Sequence, residues 1–116
     1  MVYAEQRSSV TQFELGQMFS ESRGPRDYQQ AAHWFDHAAR QGNPNAQYKI
    51  GLMYSRGIGV SQNYIKSYAW LKVAASQGSS RALRYLKRIA AKMPSNRISE
   101  AKRLSQRYYQ KYVAPF

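Results

Sequence analysis

Arg81, Arg84 and Arg88 stand at i, i+3 and i+7 in a stretch of helical character, so one helix face carries all three guanidinium groups. A guanidinium fork pairs with two carboxylate or phosphate oxygens at once, so the chemistry this spacing offers is anion recognition. His33 and His37 stand four apart, the spacing of a metal pair on a helix. Asp36 lies on a different helix face and the chain has no Cys, so no third ligand completes a site. Gly57-Ile58-Gly59 is not followed by a phosphate-binding Lys-Ser/Thr and no strand precedes it. The six acidic residues read as caps or surface and form no acid/base pair. The expectation is a non-enzymatic chain with no catalytic residue, no metal and no cofactor.

Charge gives the anion-recognising reading a direction. Of 116 residues, 18 are Lys or Arg and 6 are Asp or Glu, for a net charge of +12. Residues 1–80 hold 8 basic and 5 acidic residues, whereas residues 81–116 hold 10 basic residues and Glu100 alone. Anionic surfaces are therefore drawn to the C-terminal third. A 43% hydrophobic content with ten Tyr, four Phe and two Trp supports a folded core in a single small domain, residues 1–116. No apolar run is long enough to span a membrane, and the first residues carry no signal-peptide pattern.

The elements that position these groups repeat. Trp34 recurs as Trp70 and Ala38-Ala39-Arg40-Gln41-Gly42 as Ala74-Ala75-Ser76-Gln77-Gly78, both 36 residues on. Leu15-Gly16-Gln17-Met18-Phe19 matches Ile50-Gly51-Leu52-Met53-Tyr54 at an offset of 35. Ala46 recurs as Ala82, opening an incomplete third copy. Six helices are expected and no strand. The first runs from about Ser9 to Ser20. The second starts at Asp27 as N-cap, with Gln30 completing a capping box, and reaches Gln41. Asn43-Pro44 opens the third, which ends near Arg56. Asn63 caps the fourth, and Ser79 or Ser80 caps the fifth, which runs to about Lys92. Pro94 separates it from the sixth, which reaches about Tyr112 and leaves Val113 to Phe116 as a tail. Gly16 and Gly51, each costing about 1 kcal/mol in mid-helix, imply another helix crossing closely. Trp34 and Trp70 are expected to fill the space between successive helix pairs. In the sixth helix Ile98, Ala101, Leu104, Ser105, Tyr108 and Tyr112 form a stripe that should cover the third copy, while Arg97, Lys102, Arg103, Arg107 and Lys111 point away.

Ala46-x-Tyr48-x-Ile50-Gly51-Leu52-Met53-Tyr54, Gly57-x-Gly59-Val60, Asn63-Tyr64, Trp70-Leu71 and Ala74-Ala75-x-Gln77-Gly78 resemble the Sel1-like repeat, a relative of the tetratricopeptide repeat. The likeness covers roughly residues 12–92. It divides the chain into a repeat over about 12–45, a second over about 46–81, and capping helices over about 82–112. The first copy departs in its turn, where Ser22-Arg23-Gly24-Pro25-Arg26 implies a shorter loop. The third puts Lys87 where the family has Gly. The resemblance implies an all-α, right-handed solenoid of about six antiparallel helices, serving as a protein-interaction scaffold.

The family pattern also implies a concave groove lined by the first helix of each pair. Carried onto this chain, that groove takes Phe13 and Gln17 from the first copy and Tyr48, Leu52, Ser55 and Arg56 from the second. From the third it takes Arg81, Arg84, Arg88 and Lys92. It is expected to be aromatic in its middle, with Tyr48 as a platform, and basic at its end. The fitting occupant is a protein partner with an acidic or mixed acidic and apolar surface. One alternative is an anionic polymer, nucleic acid or acidic polysaccharide, held by the basic third with Tyr108, Tyr109 and Tyr112 interleaved. Another is an inhibitor or immunity-type protein that binds an enzyme. Family habit points to the bacterial periplasm, or otherwise the cytoplasm. Oligomeric state is left open.

Overall fold

A computed structural model describes residues 2–114, with backbone only for 2–8. The described residues form six helices: α1 (Val2–Ser22), α2 (Pro25–Arg40), α3 (Pro44–Arg56), α4 (Tyr64–Ser76), α5 (Ser80–Ala90) and α6 (Ser95–Tyr112). No strand occurs among them. Pro115 and Phe116 of the expected tail lie outside the described residues.

Local chemistry sets most of the boundaries. The Asn43 side chain accepts from the Ala46 amide at 3.1 Å, and Pro44 opens α3. Asn63 accepts from Lys66 at 3.0 Å, and the Ser79 hydroxyl accepts from Ala82 at 3.2 Å. Each satisfies an amide that a helix start leaves without a partner. The ends of α2 and α4 are copies of each other. The amides of Asn43 and Ser79 reach back to the carbonyls of Ala38 and Ala74, both at 3.2 Å.

Three expected helix boundaries need correction. α1 extends well N-terminal of Ser9 and ends at Ser22. α2 starts at Pro25, two residues before Asp27; Gly24 is its N-cap and no side chain completes a cap there. Pro at the first position needs no capped amide, so the capping box is replaced by a two-residue connection in which Arg23 has φ 63°. α5 ends at Ala90, so Lys92 lies in the turn beyond it.

α1 packs on α2, α2 on α3, α3 on α4 and α4 on α5, as successive hairpins. The mid-helix glycines sit where these helices cross. A Cβ on Gly16 would meet the Phe35 ring at 2.6 Å, and one on Gly51 would meet Leu71 at 2.9 Å. Phe35 and Leu71 are themselves equivalent, 36 residues apart and fully buried. In the turn after α3, Gly59 has φ 75° and its Cα passes so close to the Tyr28 carbonyl that a Cβ would strike it.

α6 departs from the hairpin pattern. Only its first turns, through Ile98 and Ala101, join the core beneath α5 with Leu86, Ile89 and Met93. The rest runs along α4. Tyr108 and Tyr112 lie on Trp70, with ring centroids 4.4 and 5.6 Å away. This separates the two tryptophans. Trp70 is buried at 1% exposure, with Ala69 and Val73 beside it. Their equivalents Trp34, His33 and His37 are half-buried or exposed. Trp34 packs with the two imidazoles and does not fill a space between helix pairs.

Candidate partner-binding groove

The groove residues arrive on three helices. α1 brings Phe13, whose ring lies 5.6 Å from that of Phe35. α3 brings Leu52 and Arg56, which line a cleft of about 190 Å³ together with Ser20 and Lys49, over a floor that includes Phe35 and Met53. The Ser55 hydroxyl donates to the Leu52 carbonyl at 2.7 Å, so it braces α3 and offers only its lone pairs outward.

Further along, the side chains interlock. The Arg81 guanidinium lies over the Tyr48 ring at 5.0 Å, and that of Arg88 over the Tyr85 ring at 5.1 Å. The two tyrosines meet edge to face at 5.9 Å. Tyr48 is only 7% exposed, so it is not the open platform expected of it. Its ring is covered by Arg81 and Tyr85, and its role is to hold Arg81 in place. Tyr85 joins this cluster without having been expected in it. Its signal was its place on the arginine face, four residues after Arg81 and three before Arg88. Gln17, Arg84 and Lys92 join by position alone. Among the described residues no hydrogen bond or ring contact ties their side chains to the others. Arg81, Arg84 and Arg88 are exposed, and the ion pairs among the described residues, Arg40–Asp36 and Arg97–Glu100, involve none of them. Their charge is thus available to an incoming anion.

Beneath the groove, Gln47 is fully buried, although it occupies a position read as variable. Its amide donates to the Ala39 carbonyl at 3.1 Å and its oxygen accepts from Gln77 at 2.8 Å. The Ser67 hydroxyl donates to the Gly51 carbonyl at 2.7 Å. Both tie neighbouring helices together and fix the spacing on which the groove depends.

Of the titratable groups with displaced pKa values, Tyr68 shares a core cluster with Tyr48 and Tyr85, and Tyr54, Tyr108 and Arg40 gather at α6. Burial raises the Tyr108 phenol, helped by the proximity of Tyr54 and Tyr112. Burial also raises Tyr54, with Asp36 adding to it, and raises Tyr68. Burial works against the Arg40 guanidinium, but its 2.8 Å hydrogen bond to Asp36 and the charge of that carboxylate hold its pKa above the ordinary value. Arg40 also donates to the Tyr112 hydroxyl at 2.9 Å. Arg40, Tyr108 and Tyr112 clasp α6 to the body. Among the described residues no three His, Asp or Glu side chains gather as metal ligands, and no helix is long and apolar enough to cross a membrane.

Stacked helical hairpins with small residues at the crossings define a repeat-built helical solenoid. The Sel1 repeat model matches residues 9–43 and 44–79, and the chain belongs to that family. Over 72 residues it is 43% identical to the ERAD-associated E3 ubiquitin-protein ligase component HRD3A of Arabidopsis thaliana, covering 61% of this chain and 10% of that protein. Over 67 residues it is 36% identical to chitin synthase regulatory factor 3 of Schizosaccharomyces pombe, covering 58% of this chain and 7% of that one. The fold superposes with a TM-score of 0.87 and 31% identity on a protective antigen present in uropathogenic Escherichia coli strains, which displays an SLR fold. That match covers 97% of this chain and 24% of the antigen. The chain therefore spans a small part of each relative's length. Sel1 repeat proteins are in general protein-interaction scaffolds.

Proposed function

We propose that this chain is a non-enzymatic scaffold that holds a protein partner in its groove and favours an acidic segment. The observation that carries this reading is the Tyr48–Tyr85 pair with Arg81 and Arg88 laid on its rings. The rings hold the two guanidinium groups near one place while leaving their charge exposed. Carboxylates then meet donors that have already lost much of their freedom. The apolar cleft beside Leu52 and Arg56 adds a pocket for an adjoining side chain. Tyr and Arg are the residue types in which interface energy concentrates.

The scaffold character of the family supports a protein occupant. The polymer alternative rested on Tyr108, Tyr109 and Tyr112 interleaved with cations, and the rings of Tyr108 and Tyr112 are taken up by Trp70. A bacterial envelope setting is part of the proposal, and fractionation of native cells tests it. The binding test is affinity capture from native cells at two salt concentrations. Proteins retained at the higher salt by the wild-type chain, and lost by an Arg81→Glu, Arg84→Glu, Arg88→Glu variant, are the expected outcome. Recovery of nucleic acid alone, released as salt rises, would overturn the reading.

A further inference from the structure

We propose that the outward face of α6 is a second docking surface, one that takes an acidic helix of a partner protein. Arg103, Arg107 and Lys111 follow one another at single-turn steps, about 6 Å apart along the axis, with Gln106 and Gln110 between them. All five side chains are exposed. Together they line an open cleft of about 570 Å³. A second cleft of about 330 Å³ shares Gln106 and Gln110 and extends the surface onto Lys72 of α4. No carboxylate lines either cleft. Glu100, the acidic residue of α6, is engaged at 3.2 Å by Arg97. The face is therefore a row of uncompensated cations on a rigid rod.

Charge complementarity selects an anion, and the geometry selects its kind. An α-helix with Glu or Asp at i, i+4 and i+8 repeats its carboxylates at the same ~6 Å step. Laid against α6, it meets all three cations in one alignment, and the Gln amides donate to or accept from neutral groups between them. Sites for single-stranded nucleic acid alternate cations with open aromatic platforms. Here the rings of Tyr108 and Tyr112 lie against Trp70, and Tyr109 is half-buried. A membrane-surface helix needs apolar side chains to insert, and this face has none. The groove lies on α1, α3 and α5, so the two surfaces share no residue. A chain with both joins two partners.

The test is fluorescence anisotropy of the full chain with a labelled, helix-stabilised peptide of about 18 residues, long enough to hold its helix, bearing three Glu at single-turn steps. A second peptide of the same composition spreads its Glu around the helix, and an oligothymidylate of equal charge is the third probe. The aligned peptide should bind, and the scrambled one about tenfold more weakly, three exposed pairs each contributing modestly. R103E/R107E/K111E should weaken the aligned peptide at least about tenfold, while R26E/K66E/K87E, an equal charge change away from both surfaces, leaves it within about twofold. All of these residues are exposed, and unchanged helical circular dichroism would confirm folding. No binding by the aligned peptide would overturn the proposal. So would equal binding by the scrambled peptide, tighter binding by the oligothymidylate, or indifference to the α6 charge reversal.

Discussion

At Gly16 and Gly51, single hydrogens decide whether neighbouring helices can touch. Alanine at either position gains about 1 kcal/mol of helix propensity and loses about 1–3 kcal/mol to overpacking. Phe35, at 2.6 Å from a Cβ on Gly16, is a rigid and fully buried ring; Leu71, at 2.9 Å from one on Gly51, can rotate. Gly16→Ala should therefore be the more damaging change, lowering Tm by roughly 5–10 °C, and Gly51→Ala the milder. Equal melting temperatures would refute this ranking. Gln47→Ala removes the bonds of Gln47 to the Ala39 carbonyl, which keeps the Gly42 amide at 3.0 Å, and from Gln77, and should cost about 1–3 kcal/mol. Denaturant unfolding would measure it. Alkaline behaviour is set by Tyr54, Tyr68 and Tyr108, whose phenols titrate above their ordinary value of 10.0. The unfolded phenols ionise first, so rising pH favours the unfolded state. Below pH 10 these groups should leave stability flat. Stability should then fall as pH rises from there through the raised folded values. Tyr108→Phe should flatten that fall in melts between about pH 9 and 11.

Among the elements, α6 carries the greatest consequence for stability. Its tyrosines shield Trp70, and Arg40 anchors its end. Tyr108→Ala should cost about 2–4 kcal/mol and shift Trp70 emission to the red, measured in a Trp34→Phe background. An unshifted spectrum would contradict the packing of α6 on α4. What could be read from sequence divides along the same line. Asn43, Asn63 and Ser79 act within one turn of themselves, so their caps were legible. Gly16 and Gly51 announced close crossings because a costly residue recurred at the repeat spacing. The fates of Trp34 and Trp70 were not legible. Identical residues at equivalent positions differ because a helix more than thirty residues downstream covers one and not the other. The groove arginines showed their spacing, and Arg88 over Tyr85 is an i, i+3 contact within α5, but Arg81 over Tyr48 depends on how α5 is set against α3, which periodicity does not encode.

Across the whole molecule, charge and shape divide the work. The first two repeats build a rigid frame whose Gly, Ala and buried amide residues serve packing. The net charge of +12 is concentrated beyond residue 80, on the groove face of α5 and the outer face of α6. Where charges are held over aromatic rings, as on Tyr48 and Tyr85, they suit specific recognition. Where they stand in open solvent they chiefly speed encounter, and salt screens them over about 10 Å at 0.1 M. The central claim is that the groove holds its protein partner through the arginines beside Tyr48 and Tyr85. Calorimetric affinity of the recovered partner for the wild-type chain and for R81E/R84E/R88E tests it most directly. The account predicts a loss of at least about tenfold with helical content unchanged; equal affinity for the two proteins would contradict it.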